Sequence, residues 1–89
     1  MAQVPLGRVV LTPAALSMLA EIDEDALIFL DRHQQGDWGD LGQDDKEAND
    51  HALLAGTRLL SSYQTRGGTL WIITEADRSA TTVLLPSDY

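Results

Sequence analysis

No cysteine occurs among the 89 residues, so the chain can form neither a disulfide nor a thiolate zinc cage, and it carries no thiol nucleophile. That suits a reducing compartment. Basic side chains are scarce too: six Lys and Arg stand against fourteen Asp and Glu, a formal net charge of −8. Such a chain repels nucleic-acid backbones and acidic lipid headgroups, so neither DNA nor a membrane is an expected direct partner. Apolar runs are short, none approaching the roughly 20 residues of a membrane span. The opening Met1-Ala-Gln-Val-Pro5 lacks the basic start and long apolar stretch of a secretory leader. A soluble intracellular protein is the expectation.

The charge that is present is concentrated. Between Glu21 and Asp50 lie eleven carboxylates against only Arg32 and Lys46, a net of −9, whereas the rest of the chain nets +1. A nearly neutral body thus carries one anionic segment, and a cationic partner surface is the first thing to expect of it.

Length and apolar content fit one small domain over residues 1–89, with 1–6 as a flexible lead. Gly7 to Thr12 is β-branched and short, a strand. Thr12-Pro13 caps a first helix, with Leu16, Leu19 and Ala20 at helical spacing. Asp23 reads as the cap of a second helix running to about Gln35, with Ile22 stapled onto Leu27, Phe29, Leu30 and His33 following, and Gly36 beyond its end. Residues 36–43, with three glycines among the first seven, form an ordered acidic loop holding Trp38 and Leu41. Asp44 and Glu47 open a third helix closed by Gly56, and Ala48, Ala52 and Ala55 line one side of it. From Arg58 the period changes to two: strands to Thr65, from Thr69 to Thr74 and from Thr81 to Leu85, the last stopped by Pro86. The fold class is α+β: a short N-terminal strand, three helices, then a three-stranded antiparallel β-meander.

The blocks Gly36-Asp-Trp-Gly-Asp-Leu41, Asn49-Asp50, Arg58-Leu-Leu-Ser-Ser-Tyr63 and Trp71 to Pro86 resemble a family of small proteins of bacterial plasmids and mobile elements. The resemblance runs from about Thr12 to Tyr89. It implies a bacterial cytoplasm and a mobile-element setting, and it supplies no catalytic residues.

Chemistry-bearing patterns are wanting. Ser61, Ser62 and Ser79 lack a nucleophile elbow, and the glycines at 36, 39 and 42 match no phosphate-cradling fingerprint. His33, Asp37, Asp40, Asp44, Asp45, Asp50 and His51 follow neither a calcium-loop spacing nor the zinc spacing of two histidines four apart. No catalytic, metal-binding or cofactor-binding residue is therefore assigned, and an enzyme is not expected. Arg78, in the turn between the last two strands, pairs with Asp77 or Glu75 or else orients an anionic partner.

The remaining candidate is a partner-binding face of Glu24, Asp31, Asp37, Trp38, Asp40, Asp44, Asp45, Glu47 and Asp50. Its carboxylates would imitate the charge row of a nucleic acid and occupy a basic nucleic-acid-binding surface of a host protein, of the restriction or CRISPR type. Trp38 reads either as an exposed anchor of that face or as a plug folded into the core. The competing readings are a homodimeric structural or regulatory module, joined through a sheet edge or the alanine-lined helix, and a small metal-assisted enzyme.

Overall fold

The computed structural model describes residues 4–89. The class is α+β. In chain order come β1 (Arg8–Leu11), α1 (Pro13–Glu21), α2 (Ala26–Gln34), α3 (Gln43–Ala55), β2 (Leu59–Thr65), β3 (Gly68–Thr74) and β4 (Ala80–Leu84), then a 3₁₀ turn Pro86–Asp88. Of the lead expected over 1–6, residues 1–3 lie outside the described residues. Val4 is buried, its N–H donating to the Gln34 carbonyl at 2.9 Å.

The expected three-stranded meander needs correction. β2, β3 and β4 do pair antiparallel in succession, but β1 joins them beside β4, in parallel, giving a four-stranded mixed sheet of order β1-β4-β3-β2. A meander ending at β4 would leave that strand's outer N–H and C=O groups unpaired. β1 supplies their partners, with Arg8↔Ala80 and Leu11↔Val83 in register and the Thr12 N–H continuing to the Val83 carbonyl at 3.0 Å.

One sheet face carries the core. Tyr63, Leu70, Ile72 and Val83 share it, all fully buried, and Ala15, Met18 and Leu19 of α1 pack on them with Phe29 and Leu30 of α2. A second cluster of Val4, Trp38, Ala52 and Leu59 joins α3 and the 36–42 loop to the end of β2. Leu16 and Ala20, expected inward, are exposed, because Ala15 and Met18 set the inward stripe instead.

The junction between α1 and α2 departs from the expected cap. Asp23 has φ +57° and its N–H bonds the Ala20 carbonyl, while the Glu24 N–H bonds the Leu19 carbonyl. These two bonds close α1 in the Schellman arrangement, with Asp23 in the left-handed position that glycine usually takes. Asp25 caps α2 in its place, accepting from the Leu27 N–H at 3.0 Å, and Leu27 is left exposed rather than stapled. Gly36 ends α2 and Gly56 ends α3 as expected, but α3 begins at Gln43 without a side-chain cap. Asp44 and Asp45 instead lie in its first turn, where carboxylates favour the helix dipole. Of the three alanines on α3 only Ala52 is buried; its companion is Asn49.

Candidate functional site

The loop between α2 and α3 is laid along the outer edge of β2. The Ser62 N–H donates to the Trp38 carbonyl at 3.1 Å and the Ser62 carbonyl accepts from the Asp40 N–H at 2.6 Å. Two residues along, the Gln64 N–H donates to Asp40 Oδ2 at 2.8 Å. On the other side the Asn49 amide straddles Leu60, donating to its carbonyl at 2.5 Å and accepting from its N–H at 3.2 Å. The edge-facing groups of Leu60 and Ser62, and the Gln64 N–H, are thus all partnered, and no strand can add there. Gly39 makes this approach possible: at φ +75°, a Cβ on it would overlap the Ser62 carbonyl oxygen and lie 2.6 Å from Tyr63 Cδ1.

Trp38 is not an exposed anchor. It is 3% exposed, edge-on to His33 with ring centroids 5.6 Å apart, and its Nε1–H donates to Asp50 Oδ1 at 2.9 Å. A large ring with one polar atom fills a core position when that atom finds an acceptor, and Asp50 provides it.

The expected site residues therefore divide. Asp50 holds Trp38. Asp40 holds the loop to β2. Asp37 accepts from Arg32 Nε at 2.7 Å and from the Gly39 N–H at 3.1 Å, and these bonds, the Arg32 one foremost, keep its carboxyl below the usual range. Arg32 also lies 4.5 Å over the Tyr63 ring, whose hydroxyl donates to the Asp37 carbonyl. Glu24 approaches Arg66 at 3.9 Å, and Arg66 donates to the Ile22 carbonyl. Asp31 on α2, and Asp44, Asp45 and Glu47 on the first turns of α3, remain exposed with no ion-pair partner among the described residues. Helix geometry brings Asp44 and Glu47 to one side of α3.

His33 holds a chain of polar groups that crosses the core, a role its sequence neighbours do not reveal. Its Nδ1 is 2.6 Å from Ser61 Oγ and its Nε2 is 2.8 Å from Thr74 Oγ1, which is 2.8 Å from Thr81 Oγ1. Thr81 donates to the Leu6 carbonyl at 2.8 Å. With that proton committed, Thr74 must donate to Thr81 and accept from Nε2–H. In the neutral imidazole Nδ1 then accepts the Ser61 hydroxyl. Burial, aided by the positive charge of Arg78, pulls its pKa down from 6.5 to about 4. A serine hydroxyl beside an imidazole is the pairing of a nucleophile with its base, but both residues are fully buried, out of reach of any substrate.

Arg78 forms no ion pair with Asp77 or Glu75. Its guanidinium donates to backbone carbonyls, to Thr57 at 2.6 Å, Glu75 at 3.1 Å and Ala52 at 3.3 Å, so that it caps the C-terminal end of α3 and ties it to the β3–β4 turn. Glu75 pairs instead with Arg58 at 3.3 Å.

Among the described residues no three His, Asp or Glu side chains gather in a metal-binding group, and no helix is long and apolar enough to cross a membrane. Compared with protein-family models, curated proteins and solved structures, the chain matches none.

Proposed function

We propose that this chain is a non-enzymatic interaction protein of a bacterial mobile element. Its exposed carboxylates occupy a basic nucleic-acid-binding surface on a host defence protein of the restriction or CRISPR type. The observation that carries this reading is the set Asp31, Asp44, Asp45 and Glu47, which the fold leaves exposed and without cations while other carboxylates of the same segment are tied into the structure. Negative charge held on rigid helices speeds encounter with a basic groove and selects against acidic partners. Asp37 and Asp40 add charge beside this set, reduced by Arg32.

The test is displacement of a fluorescent DNA duplex from a panel of purified restriction and CRISPR effector complexes, followed by anisotropy. Displacement is expected at about 50 mM salt and should weaken several-fold at about 150 mM, as screening shortens the reach of surface charge. It should vanish when Asp31→Asn, Asp44→Asn, Asp45→Asn and Glu47→Gln are combined. Failure to displace DNA from any member, or displacement that survives this quadruple variant, overturns the proposal.

A further inference from the structure

The two edges of the sheet are finished differently. That of β2 is covered group by group by Asn49, Trp38 and Asp40. That of β1 is open. The N–H groups of Arg8 and Thr12 bond to β4, at Ser79 and Val83, so the alternation of a strand turns the N–H and C=O groups of Val9 and Leu11 outward. Among the described residues nothing bonds them from that side.

Beside this edge lies a cavity of about 570 Å³. Val9 and Leu11 contribute to it from the strand, Leu16 and Leu27 from the helices, and both helical leucines are more than half exposed. Buried Leu19 and Leu30 lie behind them. Asp23, Glu24 and Asp25, at the α1–α2 junction, line the same cavity and no basic side chain does. An unpaired edge is a template for a strand. An apolar groove next to it supplies pockets for alternate side chains, and the acidic rim sets their charge.

We propose that β1 and this groove take an extended segment of a partner protein, added to the sheet as a fifth strand. Its groove-facing residues are apolar, with lysine or arginine where the segment meets Asp23, Glu24 and Asp25. A second copy of this chain fits less well, since it would bring the same carboxylates to the same place. A free apolar ligand would leave the strand edge unfilled. The site is separate from the carboxylates of α3, so either proposal can fail without the other.

The probe is a capped heptapeptide of lysine, threonine, valine, threonine, valine, threonine and lysine, whose lysines and valines share one face when extended. Titration by NMR should shift Val9, Leu11 and Leu27, and the Val9 and Leu11 amides should gain at least about tenfold protection from exchange. With the segment antiparallel to β1, the more stable pairing, valines opposite Val9 and Leu11 turn their N–H groups toward the edge, and N-methylation there, which keeps every charge, should weaken binding by about tenfold or more. Methylation at the threonines should not. Leu27→Asp, at an exposed position, should weaken binding with the fold intact, while the α3 carboxylate variant combining Asp44→Asn, Asp45→Asn and Glu47→Gln should bind as the parent does. Equal binding of the valine-methylated peptide, or shifts confined to α3, overturns the proposal. So does concentration-dependent protection of Val9 and Leu11 without peptide, which would make a second copy the occupant.

Discussion

Acid should destabilise this fold well before its carboxylates protonate, and His33 is the reason. Its folded pKa of about 4 lies below the unfolded value of 6.5, so between these limits the unfolded chain binds more protons and stability falls as pH falls. The sign is that of a group buried neutral: its contribution is whole above pH 6.5 and is lost progressively toward pH 4. From the two values the loss is between roughly 1 and 2 kcal/mol at pH 5.5 and about 3 kcal/mol at pH 4.5. For a domain of this size, 1 kcal/mol moves the melting temperature by roughly 4–8 °C. Cooling of the transition by roughly 5–10 °C between pH 7 and pH 5.5 is therefore expected.

Protonation has no outlet in the core. Nδ1 is the acceptor of the Ser61 proton, so an added proton there sets two donors face to face unless Ser61 turns away. Urea unfolding at a series of pH values, read by circular dichroism and by tryptophan fluorescence, measures the effect. His33→Gln should lower stability at pH 7 yet flatten the limb between pH 6.5 and pH 4. His51→Gln, on the exposed surface of α3, should leave it in place. The carboxylates held below their usual range, Asp37, Asp77 and Asp88, act with the same sign in a lower window, losing their contribution only as pH falls below about 3.8. A flat profile down to pH 4.5, or an unchanged slope in His33→Gln, would refute the reasoning.

Two substitutions test how the β2 edge is closed. Asn49→Ala leaves the Leu60 N–H and C=O without their side-chain partner and should cost about 1–3 kcal/mol in chemical denaturation. Asn49→Asp should do no better, since it can accept from the N–H but meets the carbonyl with a second acceptor. Gly39→Ala drives a Cβ into the Ser62 carbonyl at a left-handed φ, so loss of at least about 2 kcal/mol is expected. In a Trp71→Phe background, where Trp38 is the only emitter, emission should shift to the red as the loop lifts, and a variant with parental emission and stability would contradict the placement of Gly39.

Local chemistry made some of this legible in advance and long-range pairing hid the rest. The alternating runs from Leu59 to Leu84, the cap at Thr12-Pro13, and the glycines at 36 and 56 are decided by neighbours within a few residues, and each appears where its pattern put it. The place of β1 depends on Arg8 meeting Ala80, a partner 72 positions on, which no window around either residue contains. His33 could be assigned to the inward line of α2, but its partners Ser61 and Thr74 arrive from two other strands. Asn49 stands in one of the blocks that carry the resemblance, but its local pattern gives no sign of its role: it reads as one more polar residue on an acidic helix, and only the bare backbone of Leu60 opposite gives it a use. At Asp23 and Asp25 two equivalent cap residues compete. The choice follows from how α1 ends, which spacing alone does not fix.

The carboxylates show why composition and site differ. A net charge is a sum over residues, whereas a decoy for nucleic acid is an arrangement of unoccupied groups, and the −9 segment is only partly that. Asp50, Asp40 and Asp37 each accept a hydrogen bond that positions the 36–42 loop: from the Trp38 indole, the Gln64 backbone and the Gly39 backbone. Neutralising them would loosen the covered edge of β2 and so imitate a loss of binding through a loss of folding. Asp31, Asp44, Asp45 and Glu47 hold no such post; Glu47 accepts only from its helix neighbour Gln43 at 3.3 Å. Exposed charges of one sign repel one another, whereas Asp44 and Asp45 favour the N-terminal end of α3, so removing these four should change stability by no more than about 1 kcal/mol in either direction. A loss of partner affinity in that variant can then be assigned to the surface alone.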